Sequence, residues 1–150
     1  MAASTLDIRH EEDRVRACMG SWTDALRARD ADRIASHYVD DVVVADLAPP
    51  LWHVGAATVR KNFEAWFRTW RGPIRCDVRD VHVAVSGDVA WARCLNHIAG
   101  PRTNEPDTDM WVRVTVCFRK VDGEWKVEHE HVSVPFYMDG SDRAALDLEP

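Results

Sequence analysis

The sequence predicts an α+β domain in which a curved antiparallel sheet wraps around three N-terminal helices. Three observations carry this: helical apolar periods in the first half, long β-rich runs in the second half, and hairpin signals at Ser86-Gly87-Asp88 and Asp122-Gly123 between those runs. From Val15 the apolar residues Cys18, Met19, Trp22, Ala25 and Leu26 fall near a 3.6 period and make one face of a first helix. Asp30 is placed to cap a short second helix, Ala31 to Tyr38, which Asp40-Asp41 ends. Val42 to Ala45 is a short β-branched run, and Pro49-Pro50 makes Asp46 to Val54 a loop with Asp46 at its mouth. Val59, Phe63, Trp66, Phe67 and Trp70 define a third helix, which Gly72-Pro73 stops. The expected strands are Ile74–Val85, Val89–Ile98, Asp109–Val121 and Trp125–Val134, with a polar loop between Gly100 and Thr108.

The chain has 150 residues, enough for one domain and too few for two separate cores. We therefore expect a single unit over 1–150, with its core at about 10–136 and an acidic tail at 137–150. A formal charge of -6 argues against a nucleic-acid backbone as partner. No apolar run is long enough to span a membrane, and the charged start Met1 to Arg16 is unlike a signal peptide, so a cytoplasmic location is expected. Cys18, Cys76, Cys94 and Cys117 have no metal-binding spacing and read as reduced packing residues. No phosphate-binding loop or nucleophile elbow is present, and no cofactor or metal is expected.

The composition holds one oddity: 7 Trp among the aromatics, together with 7 His. Strand alternation groups Asp109, Trp111, Arg113 and Thr115 on one face of their strand, and Trp125, Val127, His129, His131 and Ser133 on one face of the next. If those faces look inward, an acid, a guanidinium, imidazoles and a hydroxyl meet in an aromatic-walled pocket. If Val112, Val114 and Val116 look inward instead, that polar set faces solvent or a second copy. An HxH pair such as His129 and His131 can also bind zinc, given a third ligand from Asp109, His97 or His53.

Two stretches carry a resemblance to a known family. Trp22 to Asp32, then Tyr38, Asp40-Asp41-Val42, Asp46 and Gly55, resemble the N-terminal half of ketosteroid isomerases in the nuclear-transport-factor-two-like (NTF2-like, SnoaL-like) superfamily. Trp111 to Thr115, Asp122 to Val127, His129-Glu130-His131 and Ser133-Val134-Pro135 resemble the SnoaL-like branch that includes the association domain of calcium/calmodulin-dependent kinase. The resemblance spans about residues 10–136. It implies a cystatin-like, cone-shaped fold, a small-molecule ligand and a homodimer formed through the sheet. It also implies that Asp46 is the general base, while the family's oxyanion-donor tyrosine falls at Trp22 and Asp109 lies out of register with the second donor.

The reading that results is a cofactor-independent isomerase, dehydratase or cyclase acting on an apolar carbonyl compound. The expected catalytic residues are Asp46, His129, His131 and Arg113. The expected substrate-binding residues are Trp22, Trp52, His53, Trp66, Asp109, Trp111 and Ser133. The alternative is a non-catalytic binder with the same fold, in which Arg113 pairs with a carboxylate.

Overall fold

Ser4 starts the first helix through a reciprocal cap: its hydroxyl accepts from the Asp7 backbone N–H at 3.2 Å while the Asp7 carboxylate accepts from the Ser4 backbone N–H at 3.1 Å. The computed structural model describes residues 4–150, so the first three residues of the expected 1–150 domain lie outside the described residues. Helix α1 (Thr5–Arg27) thus begins well before the apolar stripe at Val15, because its first turns are charged and solvated and are held by the cap. Asp30 caps α2 (Ala31–Ser36) by accepting from Arg33 N at 2.9 Å. The helix is shorter than expected. Tyr38 belongs to strand β1 (Tyr38–Ala45), since burying Tyr38, Val42 and Val44 against the core requires an extended chain.

After the two-residue strand β2 (His53–Val54) comes α3 (Ala56–Phe67), ending short of Trp70. Trp70 still packs against Trp66, with ring centroids 5.0 Å apart. Strands β3 (Arg75–Ser86), β4 (Val89–Gly100), β5 (Thr108–Val121) and β6 (Glu124–Ser133) then form a meander. The Asp122-Gly123 turn has positive φ at both positions, the geometry that suits a two-residue hairpin.

The six-stranded curved sheet has the order β2-β1-β6-β5-β4-β3. One expectation changes: the sheet is mixed, because β1 runs parallel to β6. The chain leaves β1, crosses by α3 to the far edge and returns through hairpins, so the closing pair arrives in the same direction. The face toward the helices is apolar, with Val112, Val114, Val116, Ala92 and Cys94 buried against Val15, Leu26, Ile34 and Val59. Among the described residues, no helix is long and apolar enough to cross a membrane.

A bulge decides which β6 side chains look inward. Cys117 pairs with His129 but Phe118 pairs with Val127, leaving Glu128 as an extra residue. Trp125 and Val127 are buried before it, and Glu130 is buried after it. The unbroken alternation that placed His129, His131 and Ser133 with Trp125 and Val127 therefore stops at Glu128.

Candidate functional site

A cavity of about 200 Å³ opens between the inner sheet face, α1, α3 and the segment after β1. Its walls are mainly apolar, from Leu26, Val44, Phe63, Trp66, Ile98 and Met110. The aromatic side of the wall follows from the helix periods: Trp22 of α1 meets Phe63 of α3 edge-on at 6.0 Å, and Phe63 meets Trp66 at 6.0 Å. Asp46, which immediately follows β1, lines the cavity while remaining exposed. Its Oδ1 also accepts from Leu47 N at 2.7 Å, which fixes the carboxylate's orientation. His53 lines the cavity and is anchored by Ala48 O at 3.1 Å and Asn62 Nδ2 at 2.9 Å.

The buried polar part of the site is a chain of three side chains. Trp22 Nε1 donates to the Tyr38 hydroxyl at 3.0 Å, and that hydroxyl donates to Glu130 Oε2 at 2.6 Å. Tyr38 and Glu130 are 5% and 8% exposed, and both line the cavity that Asp46 lines. Burial raises the Glu130 carboxyl to about 7, and the Asp46 charge pushes the same way against the Tyr38 hydrogen bond. Burial, then the Glu130 carboxylate, holds the Tyr38 phenol well above its ordinary value. A carboxyl group that is half protonated near neutrality can act as an acid or as a hydrogen-bond donor. Asn96, also buried, lines the cavity with an amide nitrogen that has no protein partner among the described residues.

The remaining sequence candidates lie elsewhere. Arg113 and Ser133 are on the outer sheet face, where Arg113 Nε donates to Ser133 Oγ at 3.2 Å. His129 donates from Nδ1 to Val43 O at 2.7 Å, and its ring is 6.2 Å from the largely exposed Trp52. His131 is exposed opposite Thr115. Asp109 bonds His97 Nε2 at 2.6 Å, and Trp111 stacks flat on the His97 ring at 4.6 Å. The expected pocket of Arg113, His129, His131, Asp109, Trp111, Ser133 and Trp52 is corrected in its geometry: none of these lines the cavity. On β5 the valine row takes the inner face because burying it removes more apolar surface from water. On β6 the bulge turns the imidazoles outward. Among the described residues, no group of three His, Cys, Asp or Glu side chains is arranged to hold a metal ion.

Residues 15–137 match the model of the SnoaL-like domain. The chain belongs to the SnoaL-like family. Among solved structures, this SnoaL-like chain is similar to an NTF2-like protein of unknown function from Pseudomonas putida KT2440, at 32% identity over 95% of this chain and 98% of that one, with a TM-score of 0.86. It shares its fold with a ketosteroid isomerase-like protein from Erwinia carotovora atroseptica SCRI1043, at 21% identity over 82% of this chain and 95% of that one, with a TM-score of 0.69. It also shares its fold with a suspected scytalone dehydratase from Novosphingobium aromaticivorans DSM 12444, at 22% identity over 90% and 91% of the two chains, with a TM-score of 0.76. No curated protein matches the sequence.

Sequence reasoning missed Tyr38, Glu130 and Asn96 as site residues of this SnoaL-like chain. A signal for Glu130 was present: the apolar positions change from odd at Trp125 and Val127 to even at Val132 and Val134, which requires one inserted residue between them. Glu130 is the polar residue on the even side. Tyr38 was hidden by its assignment to the end of a helix.

Proposed function

We propose that the chain is a cofactor-independent proton-transfer enzyme of isomerase, dehydratase or cyclase type, acting on an apolar carbonyl compound. One observation carries this reading: the exposed carboxylate of Asp46 and the buried Trp22–Tyr38–Glu130 chain line the same apolar-walled cavity. Asp46 removes a proton from the carbon next to the carbonyl. With Glu130 protonated on Oε1, donation runs in one direction, from Trp22 to Tyr38, from Tyr38 to Glu130 Oε2, and from Glu130 Oε1 to the substrate oxygen. Each bond polarises the next, and the last stabilises the developing enolate in a water-poor site. In a dehydration, the same Glu130 proton would go to the departing hydroxyl. Trp66 and Phe63 hold the apolar body of the substrate.

The names of the ketosteroid isomerase-like and dehydratase relatives support the reaction class. The outer sheet face, with Trp91 43% exposed and Trp111 stacked on His97, supports a homodimer through the sheet. Four free cysteines fit a cytoplasmic location.

The test is exchange of the α-protons of cyclohexanone for deuterium in D₂O, followed by NMR. The reading expects catalysed exchange that Asp46→Asn abolishes while ketone binding persists, and that Glu130→Met, which removes the donor, slows by about 10²–10³-fold, the usual effect of losing one oxyanion donor. Ketone binding with no exchange in the wild type would make the chain a binder.

A further inference from the structure

A second, smaller chamber of about 40 Å³ lies behind the first. The two share Trp22, Tyr38, Asn96, Val114 and Glu130 as a common wall, so the hydrogen-bonded chain stands between them. Beyond that wall the rear chamber is bounded by Met19, Val78, Cys94, Val116, Phe118 and Val127, none of which lines the front cavity. One or more waters of about 10–15 Å³ each would fit, about three in all, but each water needs 2–4 polar partners. Most polar atoms here are already engaged. Thr23 Oγ1 donates to Met19 O at 3.0 Å, Cys94 Sγ donates to Asn96 Oδ1 at 3.4 Å, Cys18 Sγ donates to Trp125 O at 3.6 Å, and the Tyr38 hydroxyl lies between Trp22 and Glu130. Besides Glu130 Oε1, which the substrate oxygen takes, only His37 Nε2 and the Asn96 amide nitrogen remain, too few for a cluster of three waters. Burial raises the thiols of Cys18 and Cys94 to about 11 and about 12, so both are neutral and behave as small apolar groups.

We propose that the rear chamber is a subsite for the apolar end of the substrate, so that the substrate is an elongated carbonyl compound with a short hydrocarbon arm passing Tyr38 and Glu130. This rests on the reading of the front cavity as a carbonyl site. The chamber's volume sets the arm at about three carbons, the length that replaces about three waters.

The experiment uses cyclohexanone and its 2-alkyl homologues from methyl to hexyl as probes, because an arm beside the carbonyl can pass Tyr38 and Glu130 while the oxygen stays on Glu130, with binding measured by calorimetry. The wild type should gain about fourfold in affinity per carbon, the value of burying one methylene, up to about three or four carbons and then level off. Val116→Leu and Cys94→Met, which fill the rear chamber, should stop the gain one or two carbons earlier and leave the cyclohexanone affinity unchanged. Met19→Ala, which enlarges it, should move the optimum to a longer chain, an effect that misfolding cannot produce. An even climb through hexyl in every variant, an optimum that stays fixed across variants, or no gain over cyclohexanone overturns the subsite. Exchange of cyclohexanone itself separates the two readings: lost exchange with an intact length profile removes the enzyme, and a flat profile with intact exchange removes the subsite alone.

Discussion

Replacing Glu130 by Gln should change how stability depends on pH. The folded chain holds the Glu130 carboxyl at about 7, against an ordinary value of 4.5. Between those values the folded state binds more protons than the unfolded state, so this group's contribution to stability falls as pH rises from about 4.5 and is lost through about pH 7. The full cost of ionising it in place is about 3 kcal/mol. About 2 kcal/mol of that falls between about pH 5.5 and about pH 8.5. Gln has no charge to bury and can still accept from Tyr38 through its amide oxygen. Urea unfolding of both proteins across that range isolates the effect, because Glu11, held down at about 2 by Lys120, and His37, lowered by burial, titrate in both. The stability of Glu130→Gln relative to wild type should rise by about 2 kcal/mol from the acid to the alkaline end. A difference that stays constant with pH would refute a buried, proton-holding Glu130.

Other variants test separate links. Tyr38→Phe leaves Trp22 Nε1 and Glu130 without their shared partner, so it should cost about 1–3 kcal/mol in urea unfolding and slow α-proton exchange. Ile34→Ala empties a fully buried site and should cost about 2–5 kcal/mol by thermal or urea unfolding. Ser4→Ala removes the α1 cap and should cost about 1 kcal/mol, with helix fraying seen by amide exchange confined to the first turns. Arg113→Ala and His131→Ala, on the outer face, should leave α-proton exchange within about twofold of wild type, since neither side chain touches the cavity.

Much of the fold was legible because local patterns agree with it. The apolar stripes of α1 and α3 and the Asp122-Gly123 turn give elements close to those observed. The parallel β1–β6 pair was not legible, because it joins residues as distant as Tyr38 and Val127 and no local pattern specifies that partner. The site was readable in part. Asp46, Trp22, His53 and Trp66 line the cavity, and Asp46 could be singled out only through the family resemblance. The polar floor was hidden by the single bulged residue Glu128, which exchanges His129 and His131 for Glu130 on the inner face.

A crystal structure of the protein with 2-propylphenol, whose phenolate resembles an enolate, would examine the proton-transfer site directly. The phenol oxygen should lie about 2.7 Å from Glu130 Oε1, with the Asp46 carboxylate over the ring and the propyl group in the rear chamber. A phenol bound on the outer face beside Arg113 and His131, or one in the cavity whose oxygen points away from Glu130 and Tyr38, would contradict the mechanism.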